Sequence, residues 1–248
     1  MKISVITVVY NGEKYIEDSI KSFISQTYQD KELIIVDGMS SDNTQKIVEK
    51  YSDHIFHYIR EQDENLYDAM NKGIQKATGD IIHLLNHDDY YNNENVLSKV
   101  NEHFSTNSSD IIHGPMIKVD SDNNTVSEIG IKNTYFKNAL FSPFNHPTCF
   151  VKSSIYQKNI FDISFPTAAD YNWMLKVINS SEISINTIDF YSVNFRTVGL
   201  TSNNWFPPSK QLFRLLRANN INLVYILIGI SFRILRNISK KIIKFCKN

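Results

Sequence analysis

Four short apolar runs, each followed by a segment of different periodicity, dominate the first 85 residues and leave few folds open. Lys2–Val9, Glu32–Val36, Ile55–Ile59 and Asp80–Leu85 read as strands, rich in Ile, Val and Leu. Between them, Glu13–Ser25 places Ile16, Ile20, Phe23 and Ile24 at helical spacing. Asp42–Tyr51 reads as a second helix, with Ser40, Ser41 and Asp42 as candidate N-caps, and Leu66–Ala77 as a third, ended by Gly79. Repeated strand–helix–strand units with strands apolar on both faces predict an α/β domain, a mostly parallel central sheet with helices on both faces.

Ligands of such sheets bind at the carboxyl ends of the strands. Polar and flexible residues gather there: Tyr10-Asn11-Gly12 after the first strand, Asp37-Gly38 after the second, Asn86-His87-Asp88-Asp89 after the fourth. Asp88 and Asp89 are adjacent like charges, which stay ionised when water or a cation offsets their repulsion. A divalent ion held by one or two carboxylates can also grip a diphosphate. A solvated acidic turn capping a helix that starts near Glu94 accounts for the same two residues equally well.

Further along, Asp110–Val119, Val126–Ile131 and Thr148–Lys152 read as strands, with a turn at Asp120–Asn124. A helix begins near Ala168–Asp170, and Ile183–Phe195 forms one or two strands. Cys149 and Cys246 lie far apart with no metal-ligand spacing, so a reducing compartment is expected, without a disulfide framework. Met1–Val5 opens directly into a strand, and no signal peptide is expected.

The motifs, taken in order, resemble the inverting glycosyltransferases of family 2, which have the GT-A nucleotide-sugar fold. The resemblance covers roughly residues 1–200. It rests on Ile6–Asn11, Val36–Thr44, Tyr67–Gly73, Thr78-Gly79-Asp80, Leu85–Asp89 and Ala169-Asp170-Tyr171. It implies that Asp37 hydrogen-bonds the nucleotide base, with Thr7, Tyr10 and Asn11 in the same pocket. It implies Asp89 as the direct ligand of Mn²⁺ or Mg²⁺, and Asp88 at the ribose or a metal-bound water. It implies Asp170 as the base that takes the acceptor proton. A helix N-cap is the plainer role for Asp170, and the two are compatible. Asp63 is a candidate donor contact or a solvated loop residue. His87 stands where relatives carry a small residue, Ala169 where many carry an acid, Gln62 where Pro is common and Asn65 where Gly is common. Asn65 is expected to tolerate the positive φ of such a turn. His146-Pro147-Thr148 and Arg196–Gly199 fall where the family places acceptor-side loops.

Net charge is zero, but all 26 acidic residues lie at or before Asp189, while ten Lys and Arg follow from Arg196 onward. The chain up to Phe195 therefore carries 16 basic residues against the 26 acidic ones, a net of −10, and the remainder carries +10. Residues 1–204 are expected to form the catalytic domain and 205–248 a tail of amphipathic helices. Leu223–Phe232 is apolar but shorter than the about 20 residues that span a bilayer. Arg233, Arg236, Lys240, Lys244 and Lys247 recur at helical spacing on one face, and Leu235, Ile238, Ile242 and Phe245 on another. Residues 221–248 are thus expected to meet an anionic membrane surface, at the cytoplasmic face of the cell membrane. A basic helix packed on its own core is the alternative. Nucleic acid is not expected as a partner, because basic residues concentrate in the tail and the cleft is acidic.

The resulting expectation is a metal-dependent transfer of sugar from a nucleoside-diphosphate donor, UDP-linked, to a hydroxyl of a glycan or lipid-linked oligosaccharide in surface polysaccharide assembly. Two rivals stand beside it. A nucleotidyltransferase needs a Gly- and Lys/Arg-rich loop after the first strand, and Val9–Glu13 is not one. A non-catalytic nucleotide- or glycan-binding module would not depend on Asp170.

Overall fold

The computed structural model describes residues 1–131, 143–197 and 209–222. Eleven strands and seven helices follow one another over these residues. The first half alternates: β1 (Ile3–Val9), α1 (Ile16–Ile24), β2 (Lys31–Asp37), α2 (Thr44–Glu49), β3 (His57–Arg60), α3 (Leu66–Lys76) and β4 (Ile81–Leu84). Then come β5 (Tyr90–Tyr91), α4 (Val96–Thr106), β6 (Ile111–His113), β7 (Met116–Val119), β8 (Thr125–Ile129), β9 (Phe150–Lys152), α5 (Ser153–Lys158) and α6 (Ala169–Ile178). β10 (Ile185–Thr187), β11 (Val193–Arg196) and α7 (Ser209–Ala218) complete the fold.

A seven-stranded sheet runs β10-β6-β9-β4-β1-β2-β3. β4, β1, β2 and β3 are mutually parallel, as are β10 and β6, while β9 is antiparallel to both its neighbours. The strand order reverses at β1, with β2 on one side and β4 on the other, which creates a crevice at their carboxyl ends. Every residue of β1 and of β4 is buried, because helices cover both faces. The two-residue period sorts them. Ile6 and Val8 join Ile34, Val36, Ile82 and Leu84 under α3, α5, α6 and α7. Ile3, Val5 and Val9 join Leu33, Ile35 and Ile81 under α1, α2 and α4.

A second sheet, β5-β11-β7-β8, stands apart from the first. The stretch expected as one strand over Asp110–Val119 is divided between the sheets. Gly114-Pro115 breaks it: proline has no N–H for the ladder, and a Cβ on Gly114 would lie 2.6 Å from Ile188 Cγ1. Ile183–Phe195 likewise forms two strands, one in each sheet.

Helix starts differ in detail from the sequence reading. α2 begins at Thr44 rather than Asp42, and the Asp42 carboxylate instead accepts from the Thr44 and Glu13 amides at 3.0 Å each. Asn65 is extended (φ −169°) and caps α3, its side chain accepting from the Tyr67 and Asp68 amides. The turn therefore needs no positive φ at Asn65, and the departure from glycine supplies an N-cap instead. α7 buries Leu212, Leu215 and Leu216 against the α6 side of the core and exposes Lys210, Phe213, Arg214 and Arg217. Among the described residues no helix is long and apolar enough to cross a membrane. Most of the expected basic tail, from residue 223 on, lies outside the described residues.

Candidate active site

The crevice at the reversal point opens into a cavity of about 880 Å³. Its walls come from the end of β1 (Val8 to Gly12), the start of α1 (Lys14, Tyr15), the turn after β2 (Gly38, Met39), the segment before α3 (Gln62, Asp63, Asn65) and the loop after β4 (His87, Asp88). Of the residues expected to bind the donor, Tyr10, Asn11, Asp63 and Asp88 line it.

Hydrogen bonds between the β1 and β2 loops shape the floor. The Gly38 amide donates to Val9 O at 3.0 Å, the Asn11 amide to Ser40 Oγ at 2.8 Å, and the Ser41 amide to Asn11 Oδ1 at 2.9 Å. Asn11 and Met39 both take left-handed backbone conformations, at φ 51° and 65°. For Asn this costs little; for Met39 it is strained, and the bond network around it holds the turn. Tyr10 is 64% exposed and Met39 46% exposed, so two large apolar side chains border the opening.

Asp37 and Thr7 sit behind this wall rather than in it. Thr7, in the middle of β1, is 1% exposed, and its hydroxyl has no partner. Asp37 is fully buried. It accepts from the Ser40 amide at 2.7 Å and the Tyr58 hydroxyl at 2.9 Å, with Arg60 Nε 3.4 Å away. Contact between Asp37 and a base therefore requires these groups to give way; as placed, Asp37 fixes the turn that carries Gly38 and Met39. Burial, then the bond to Asp37, pushes the Tyr58 phenol well up.

Asp63 reaches the cavity from the opposite side. A Cβ on Gly38 would meet Asp63 Oδ2 at 2.8 Å, so glycine permits this approach. Lys72 of α3 holds Asp63 at 2.7 Å and also touches Asp68 and Glu61, each at 3.2 Å. Burial raises the Asp63 carboxyl, and the Lys72 bond opposes the rise.

The paired carboxylates differ sharply. Asp88 faces the cavity, whereas Asp89 is 1% exposed. Asp89 accepts from the Arg196 amide at 3.1 Å and from Asn86 Nδ2 at 3.2 Å. Burial first, and the neighbouring Asp88 charge second, hold its carboxyl well above the usual range, against the pull of those donors. A cation at the pair would offset both effects, so the donor set fits a divalent ion. Among the described residues no group of three or more His, Cys, Asp or Glu forms a full cage. Two carboxylates suit a hard ion whose remaining positions go to phosphate and water. The structure thus turns Asp88, more than Asp89, toward the open space. His87 packs against Gly12, where a Cβ would lie 2.5 Å from His87 Cδ2.

Asp170 lies in the first turn of α6, after Ala168 at the cap position, so it is not the N-cap. Its Oδ1 accepts from the Tyr67 hydroxyl at 2.7 Å and from the Tyr171 amide at 2.8 Å. No bond goes to Oδ2 among the described residues. Asp170 is not in the cavity wall itself; Tyr67 of α3 links it to Asn65 and Leu66, which are. Burial, then the Asp170 charge, raises the Tyr67 phenol far above its ordinary value, so it stays a donor. Tyr67 and Lys72 were parts of a recognised motif without an assigned role. Their signal was position, on the helix that borders the cavity.

His146 lies in the 3-10 turn His146–Thr148, its ring edge-on to Trp173 at 6.3 Å, and its buried Nε2 has no partner. Arg196 does not open toward an acceptor loop: it is 1% exposed and buried behind Asp88 and Asp89.

Comparison with known proteins agrees with this geometry. The family model described as "Glycosyl transferase family 2" matches residues 4–164. An uncharacterized glycosyltransferase of Rickettsia prowazekii is 30% identical over 196 residues, covering 73% of this chain and 60% of the relative. One from Rickettsia typhi is 29% identical over the same length and the same shares of both chains. The chain thus spans about 60% of the length of these curated relatives. Among solved structures, Staphylococcus aureus TarS 1–349 in complex with UDP-GlcNAc superposes with a TM-score of 0.72 at 21% identity, covering 88% of this chain and 65% of that one. The mannosyltransferase PcManGT of Pyrobaculum calidifontis, in complex with GDP-Man and Mn²⁺, gives 0.62 at 14% identity, covering 93% and 74%. The parallel sheet, the crevice at its reversal point and the match over residues 4–164 place the chain, with its GT-A fold, in glycosyl transferase family 2.

Proposed function

We propose that the protein transfers a sugar from a nucleoside-diphosphate donor to an acceptor hydroxyl in one displacement, with inversion at the anomeric carbon. One observation carries the reading. The Asp88 carboxylate lines the cavity at its β4 end with Asp89 buried directly behind it, and Asp170 is bound through Tyr67 to its α3 rim.

In this reading Tyr10, Asn11 and the Gly38-Met39 turn receive the nucleoside, with Asp37 behind the turn and Asp63 on the facing wall. Thr7 would support the floor from the core. Asp88, with Asp89 beneath it, would hold Mn²⁺ or Mg²⁺. When bound, such an ion offsets the negative charge that gathers on the leaving diphosphate. Asp170 accepts the acceptor's hydroxyl proton as that oxygen attacks. Tyr67 holds Oδ1, which leaves Oδ2 for the proton. The donor's bond to its diphosphate breaks on the opposite face, through a transition state of oxocarbenium character.

UDP is favoured as the base carrier because the TarS structure, the better of the two superpositions, is a complex with UDP-GlcNAc. The GDP-Man complex of PcManGT makes GDP the comparison to run. The acceptor is a glycan or lipid-linked oligosaccharide of surface polysaccharide assembly, and the enzyme works at the inner face of the cell membrane. The basic outer face of α7 and the absence of any acidic residue after Asp189 support that location.

Asp170→Asn tests the reading. Transfer should fall by at least the roughly 10²–10⁴-fold that a general base supplies, with donor binding kept. Transfer at the wild-type rate would remove Asp170 from the chemistry and favour the binding-module alternative.

A further inference from the structure

Arg196 is heavily engaged and has no role in the site assigned above. It ends β11 in the second sheet and is 1% exposed. Its guanidinium lies between two aromatic faces, 4.6 Å from the Tyr15 ring centroid and 4.8 Å from that of Tyr90. Nη1 donates to the Asp88 carbonyl at 2.9 Å. Nε and Nη2 donate to Asn123 Oδ1 at 3.1 and 2.7 Å, and Nη2 also pairs with Asp18 of α1. Its own backbone amide donates to Asp89 Oδ1 at 3.1 Å.

A guanidinium this buried is costly to desolvate, and its carboxylate partner Asp18 is itself 47% exposed. A cheaper residue would fill the space if packing were the whole purpose. What the arrangement achieves is geometric. One side chain braces two cavity-wall residues from behind, Tyr15 and Asp88, and the same residue's backbone holds Asp89. The anchor for this brace is Asn123, in the turn between β7 and β8, at φ 66°.

We propose that Arg196 is a positioning residue: it holds the Asp88–Asp89 turn in the geometry that binds the divalent cation and ties that turn to the second sheet. The inference rests on the carboxylate pair being the cation site. Outer partners of metal ligands change affinity without touching the metal. Arginine is required because the planar fork reaches Asp18, Asp88 and Asn123 together while stacking on two rings; an ammonium keeps the charge and loses that span.

The test is Mn²⁺ binding in the presence of saturating UDP, followed by loss of the free-ion electron paramagnetic resonance signal, with metal-free UDP affinity measured alongside. Arg196→Lys should weaken Mn²⁺ binding by roughly 10–100-fold and leave metal-free UDP affinity within about twofold. Asn123→Gly should weaken it in the same direction by a smaller factor. That variant keeps a residue at ease at positive φ, so it remains informative if Arg196→Lys folds poorly. Asp88→Asn is the control. If Asp88→Asn loses Mn²⁺ while Arg196→Lys and Asn123→Gly bind like wild type, the positioning role is refuted and the cation site stands. If Asp88→Asn also binds like wild type, the cation site itself is misplaced and the inference falls with it. A parallel loss of metal and metal-free UDP binding would mark Arg196 as merely structural and overturn the proposal.

Discussion

Gly73 offers a clean contest between two opposing effects of known size. It lies in the middle of α3, where alanine is the better helix former by about 1 kcal/mol. Yet a Cβ at this position would lie 2.4 Å from Ile6 Cγ2 and 3.3 Å from Val36 Cγ2. Ordinary carbon contacts are about 3.5–4.0 Å, so the helix would have to move about 1 Å from β1 or the sheet would have to yield. Both methyls belong to buried β-branched residues with little rotamer freedom. Overpacking of this kind costs about 1–3 kcal/mol, and the rigid neighbours argue for the upper end. The clash therefore wins, and Gly73→Ala should destabilise by about 2 kcal/mol, a fall of about 4–8 °C in Tm for a chain of this size. The same shift moves Asn65, Leu66 and Ala69, which border the cavity, so nucleotide affinity should fall too if the proposed site is right. Thermal unfolding and nucleotide titration of Gly73→Ala, alone and with Ile6→Ala, check this. The double variant should be less destabilised than the two single losses added together, because the new methyl enters part of the space vacated by Ile6. A stabilised Gly73→Ala with unchanged nucleotide affinity would show that helix propensity prevails and that α3 is not seated as described.

Two further outcomes follow from the buried polar groups. His83 of β4 is fully buried, 2.8 Å from the Tyr91 hydroxyl and 3.1 Å from Pro147 O, and burial pushes its pKa down to about 3; burial lowers His113 to about 4. Both are neutral when folded and take up protons on unfolding, so their contribution is complete above about pH 6.5 and is lost as pH falls toward 4 and then 3. Urea unfolding should show stability dropping by up to about 1.4 kcal/mol per pH unit for each histidine between pH 6 and 4, and a slope reduced by one proton in His83→Gln; a flat profile would refute the burial argument. Separately, the new Cβ of Gly38→Ala would fall 2.8 Å from Asp63 Oδ2, so it should drive the carboxylate aside and weaken nucleotide binding several-fold while changing Tm little, since the displaced group is a side-chain end. Unaltered nucleotide affinity would place the donor elsewhere.

The parallel half of the fold was legible because its signals are local. The strands announce themselves as apolar runs, α1 by its spacing, α3 by the glycine just beyond its end, and the crevice by the polar residues after β1, β2 and β4. The second sheet was not legible. β6 and β7 are separated only by Gly114-Pro115, a breaker that was in plain view, and β9 slots between β4 and β6 from far along the chain. In the site, chemistry at strand ends could be read, but depth could not. Thr7, Asp37 and Asp89 carry residue types suited to nucleotide and metal contacts, and only packing reveals that all three lie behind the cavity wall. Arg196 was least legible of all. Its partners Asp89 and Asp18 lie 107 and 178 residues away, and no local pattern marks a buried guanidinium.

Calorimetric titration of UDP and of GDP, each with and without Mn²⁺, tests most directly whether the β1–β4 crevice is a cation-assisted nucleotide-sugar site. UDP binding should tighten with Mn²⁺ and exceed GDP binding, and the gain from Mn²⁺ should be lost in Asp88→Asn. Absence of nucleotide binding under every condition would contradict that assignment.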